Sequence, residues 1–154
     1  MQDNQSQQND EHSLAQVIVI RADFGGGPYA WDFGCIADAV NGFQGSGYAV
    51  SAALEEDFCN WVSKFESHFL SPDHDWAVPD WNLGFDWEWF NRTGIELTRR
   101  LKGEIGEQTR VIYQKAYEDP TKDLFYYEDV EVLLDGSLKT IRGLLGSSPH
   151  RMNE

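Results

Sequence analysis

The sequence is poor in cysteine, in long apolar runs and, over its first ninety-one residues, in positive charge. Cys35 and Cys59 are the only thiols. Two are too few for a disulfide-stapled scaffold, and no CxxC or Cys/His spacing suggests a metal site. Both are expected to be reduced and mostly buried. No stretch approaches the roughly eighteen consecutive apolar residues that a membrane span needs. The N-terminus carries neither a basic segment nor an apolar signal core. A cytoplasmic protein is the expectation. With 154 residues, 41% of them apolar and 14% aromatic, the chain suffices for one packed core. It divides into a disordered polar tail over 1–12, a single domain over 13–145 and a flexible tail over 146–154.

The scarcity of bases is uneven. Residues 1–91 hold fifteen Asp and Glu against Arg21 and Lys64 alone, a net charge of −13, whereas residues 92–154 are nearly balanced at −1. A field of one sign repels nucleic acid and anionic membranes and draws in basic protein faces. Acidity that merely aids solubility is the bland alternative.

Hydrophobic periodicity sets the expected architecture. Gln16 to Ala22, with its β-branched run, reads as a strand closed by a glycine triplet. Residues 31–40 suit a short helix or a second strand, followed by loop. Ser51 can cap a helix over 51–70 whose apolar face is Leu54, Phe58, Trp61, Val62, Phe65 and Phe69. Residues 71–84, with two prolines and no period, form a loop. Asp86 can cap a second helix over 87–105, with Phe90, Gly94, Leu97, Leu101 and Ile105 on its apolar face and Gly106 ending it. Gly94 lowers helix propensity by about 1 kcal/mol relative to Ala, so on an apolar face it marks close approach of another element. Glu96 and Arg100 are spaced for an i,i+4 ion pair, and Arg99 with Lys102 suits the negative helix end. Thr109 to Lys115 alternates as a strand, and Asp135-Gly136 suits a two-residue type I′ hairpin between flanking strands. The sum is an α+β domain: a small, mostly antiparallel sheet, two helices on one face and a C-terminal hairpin.

Few motifs carry chemistry. The triplet Gly25 to Gly27 lacks the Gly-Lys-Ser/Thr or GxGxxG context of a phosphate loop, and Pro28 interrupts the required helix start. His68 and His74 lie near Asp73 and Asp75 without zincin or EF-hand spacing. No nucleophile, base and orienting group can be placed together, so no catalytic centre, metal or cofactor is expected. What remains is an interleaving of aromatic and acidic residues: Asp73, Asp75, Trp76, Asp80, Trp81, Glu88 and Trp89, with no Lys or Arg among them. Tryptophan supplies contact area at low entropic cost, and carboxylates supply complementarity to a basic partner. Glu128, Asp129 and Glu131 form a second acidic candidate surface. The same tryptophans could instead close the core, or Trp76, Trp81 and Trp89 could form a stacking platform for a carbohydrate or small molecule.

Ala22-Asp23-Phe24-Gly25, Pro28, Trp31, Ser51-x-x-Leu54, Trp61, Phe85-Asp86-Trp87-x-x-Phe90-x-x-x-Gly94-x-x-Leu97 and Val111-x-Tyr113 form a set. It resembles the pattern of small bacterial immunity proteins from polymorphic or contact-dependent growth-inhibition toxin systems. The resemblance spans roughly 17–113 and leaves the stretch after Tyr113 outside. It implies a cytosolic protein that neutralises one cognate toxin by tight one-to-one binding, commonly a nuclease with a basic cleft. The charge distribution points the same way independently.

Overall fold

The computed structural model describes residues 17–23, 30–32, 38–40, 43, 48–122 and 128–142. The tails expected over 1–12 and 146–154, and Cys35, lie outside the described residues. The chain runs β1 (Val17–Ile20), β2 (Ala30–Asp32), β3 (Asp38–Val40), α1 (Ala52–Phe69), α2 (Trp87–Ile105), β4 (Arg110–Tyr113), β5 (Glu128–Val132) and β6 (Leu138–Arg142). The six strands form one sheet in the order β3-β2-β1-β4-β5-β6. The domain is α+β, and residues 31–40 contribute strand and no helix among those described.

Four strand pairings are antiparallel, and the central one, β1 with β4, is parallel, with Ile18 opposite Val111 and Ile20 opposite Tyr113. The parallel pair follows from connectivity. Both helices intervene between β3 and β4, and such a crossover lets β4 return alongside β1 in the same direction. Ile18, Ile20, Val111 and Tyr113 point into the core shared with the helices. Val19 and Ile112 alternate to the other face and are also fully buried, so the sheet centre is covered on both sides.

Both helices begin and end where their caps dictate. Ser51 Oγ accepts the Leu54 N–H at 3.2 Å, and Asp86 accepts the Trp89 N–H at 3.1 Å. Gly106 ends α2 at φ 87°, a conformation open to glycine. All six predicted apolar positions of α1 are buried. Cys59, one residue round the helix from Phe58, is free and exposed, contrary to the expectation of burial. The reason is the 100° step that carries it off the apolar stripe.

The core is aromatic. The Trp61 ring stacks on Phe90 with centroids 4.4 Å apart and donates its Nε1–H to the Phe90 carbonyl at 2.8 Å. The close approach foreseen at Gly94 is real: a Cβ there would lie 2.7 Å from Trp61 Cζ2 and 2.9 Å from Tyr113 Cζ. One polar expectation is corrected and another holds. Glu96 pairs with Arg99, while Arg100 crosses to Asp57 on α1 at 2.7 Å. Lys102 does lie in the last turn of α2, where it is buried, donating to the Thr109 carbonyl at 2.7 Å.

The β5–β6 hairpin does not use a two-residue turn. Gly136 N–H donates to the Leu133 carbonyl and Leu133 N–H to the Ser137 carbonyl, both at 2.9 Å, with Gly136 at φ 87°. That pattern fits a three-residue loop, a type I turn followed by a left-handed glycine. Asp135 accepts both the backbone N–H and the hydroxyl of Ser137, which holds its carboxyl below the usual carboxylate range.

A tryptophan and aspartate loop as candidate functional site

The segment from Leu70 to Asp86 joins the end of α1 to the start of α2 through successive turns. His74 N–H donates to the Ser71 carbonyl at 3.0 Å, Trp81 N–H to Val78 at 3.2 Å and Leu83 N–H to Asp80 at 3.0 Å. The Asp75 carboxylate accepts the Ala77 N–H at 2.9 Å, the local bond that makes Asp a turn residue. The loop is pinned at its far end, where Trp87 Nε1–H donates to the Asn82 carbonyl at 2.7 Å and Asn82 in turn donates to the Glu118 carbonyl at 2.9 Å.

Aromatic contacts fix the near end. Phe69, the last residue of α1, is fully buried and meets the rings of His74, Trp76, Trp81 and Phe85 at centroid distances between 5.1 and 6.0 Å. His74 stands edge-on to Trp76 at 4.5 Å, and Trp76 lies 4.9 Å from Trp81. Burial and the neighbouring His74 lower the pKa of His68. The loop is therefore an anchored surface, with its side chains positioned by the core beneath it.

The tryptophans divide by depth. Trp61 and Trp87 are core residues, Trp81 and Trp89 are half-buried, and Trp76 is 46% exposed. Asp73, Asp75 and Asp80 are exposed on the same loop. Three apolar side chains not singled out from sequence join them: Leu70 and Leu83, both more than half exposed, and Val78. For Val78 and Leu83 the signal was present as apolar residues within a proline-interrupted stretch that has no helical or strand period to bury them. These exposed apolar side chains thus share one acidic segment with exposed carboxylates.

Glu88 is exposed on the first turn of α2, within 3.7 Å of Arg92. Trp89 faces the groove between the helices. The planes of Trp76 and Trp81 are inclined by 40°.

The second acidic candidate has a different character. Asp129 and Glu131 alternate with the core-facing Val132 and so project from the sheet face opposite the helices. Asp129 is buried and accepts from Gln114 at 3.1 Å. Glu131 binds Arg110 through two hydrogen bonds of 2.8 and 3.0 Å, which hold its carboxyl below the usual range. Glu128 lies on β5, its side chain outside the described residues. Gln114 also accepts from Arg21 at 2.7 Å, so Arg21 is a buried structural cation. Beside this row, burial depresses the pKa of Lys122 to about 8.

Comparison with known protein families, curated proteins and solved structures finds no match to this chain. The site itself therefore carries the functional reading. Among the described residues no three His, Cys, Asp or Glu side chains are grouped to hold a metal ion, and no helix is long and apolar enough to cross a membrane.

Proposed function

We propose that this chain is an immunity protein that binds and neutralises a cognate, basic, nuclease-type toxin domain, using the loop between α1 and α2 as a principal contact face. The observation that carries the reading is the composition of that loop's surface. Trp76, Leu70, Val78 and Leu83 are exposed together with Asp73, Asp75 and Asp80, on a segment with no Lys or Arg. Apolar side chains supply the desolvated centre of an interface, and surrounding carboxylates steer a cationic partner and reject an anionic one. The net −13 of residues 1–91 extends that field well beyond the loop. Asp129 and Glu131, being bonded within the fold, contribute less to such a face than the sequence alone suggests.

The test is capture of partners from the native host on the purified chain, followed by assay of the captured protein for nuclease activity with and without the chain. The expected result is a basic domain retained at low salt, its activity abolished at one equivalent. Capture of acidic partners only, or a turnover by this chain that disappears on one carboxylate substitution, would overturn the reading.

A further inference from the structure

The outer side of the helix pair carries a groove of about 390 Å³ with an apolar floor of Trp61 and Leu97 and a wall formed by Trp89. A second hollow of about 460 Å³, at Phe85 and His68, adjoins it, and Lys64 and Trp89 border both. Each volume is within the range of small-molecule pockets, about 300 to 1,000 Å³.

The charges on this groove are unequally committed. Asp57 is bonded to Arg100 at 2.7 Å, an ion pair linking α1 to α2 across one end. Glu96 is bonded to Arg99, and Asp86 is engaged as the cap of α2. Among the described residues Lys64 has no hydrogen-bond or ion-pair partner, and it is exposed. It is also the one exposed base among residues 1–91, since Arg21 is buried. An acidic chain thus keeps its single uncommitted cation of that region at the waist of an apolar, tryptophan-walled groove. Each carboxylate bordering the groove already accepts a hydrogen bond from another group.

We infer that this groove binds a small aromatic carboxylate, its ring against Trp89 above Trp61 and Leu97 and its carboxylate on the Lys64 ammonium. Apolar contact supplies area and a charge-assisted hydrogen bond fixes orientation, the usual division of labour in such sites. The inference goes beyond the toxin-binding reading and does not depend on it.

The test titrates the isolated protein with naphthoate while following the Trp89 indole and Leu97 methyl resonances. Saturable shifts at both groups are expected, with a dissociation constant at or below about 1 mM. Lys64→Met, which keeps the apolar stem, should weaken binding about tenfold, and Lys64→Arg should restore most of it. The neutral naphthamide should bind about as weakly to the parent protein as naphthoate does to Lys64→Met. Absence of saturable shifts up to about 10 mM, equal binding of a naphthylmethylamine, or indifference to Lys64→Met would each overturn the assignment.

Discussion

Replacement of Gly94 by Ala sets helix propensity against packing, and the structure decides between them. Propensity alone favours Ala by about 1 kcal/mol inside a helix. The added methyl, however, would sit 2.7 Å from Trp61 Cζ2 and 2.9 Å from Tyr113 Cζ, closer than real Cβ contacts. Neither ring is free to retreat. Trp61 is stacked on Phe90 and bonded to its carbonyl, and the Tyr113 hydroxyl donates to Asn91 at 2.7 Å. Overpacking a tight core costs about 1 to 3 kcal/mol, and losing either ring's hydrogen bond adds about 1 kcal/mol. Gly94→Ala should therefore destabilise by about 1 to 3 kcal/mol net of the propensity gain. Gly103 is the internal control: it lies in the same helix, is exposed, and has nothing within 4 Å of its added Cβ. Gly103→Ala should stabilise by about 0.5 to 1 kcal/mol. Urea unfolding followed by circular dichroism, with unchanged m-values, separates the two. Equal stabilisation by both substitutions would refute the packing argument at Gly94.

Two further outcomes are expected. Leu97→Ala, at a core position that is 5% exposed, should lose about 2 to 5 kcal/mol in the same assay, and a loss below about 0.5 kcal/mol would contradict its place in the core. Lys122, with its pKa depressed from 10.5 to about 8 by burial, should show a distinct pH signature. Between these values the unfolded chain binds more protons at this group than the folded one. The destabilisation from burying its charge is thus full below pH 8 and is relieved as pH rises toward 10.5. Lys122→Met should remove that component from stability measured across this window. Identical pH profiles would contradict the burial.

The parts of the fold that were legible in sequence are those governed by local rules. Ser51, Asp86 and Gly106 announce the helix limits because capping is satisfied within one turn, and the stripe from Leu54 to Phe69 declares its face by period alone. Gly94 was readable because a glycine on an apolar helix face needs a steric reason. The parallel pairing of β1 with β4 was not readable, since it is fixed by a crossover and not by either strand's composition. Asp135-Gly136 fits a two-residue or a three-residue turn, because both require glycine at positive φ. The hydrogen bonds from Leu133 decide between them. For the candidate site, Trp76 and the aspartates stood out by composition. The exposure of Leu70, at the end of the expected helix, and the burial of Asp129 depend on how distant segments pack and left no local mark.

The most direct test of the binding face is kinetic, with the captured basic partner immobilised and the chain flowed over it at low and physiological ionic strength. Neutralising Asp73, Asp75 and Asp80 together to Asn should lower the association rate and flatten its salt dependence, since exposed charges are screened beyond about 8 to 10 Å at physiological salt. Trp76→Ala should leave association nearly unchanged and raise the dissociation rate by roughly thirtyfold or more, equivalent to about 2 kcal/mol for a central anchor. Association that ignores salt and the triple substitution, together with dissociation that ignores Trp76→Ala, would show that the partner engages another surface and that the loop between α1 and α2 is not the contact face.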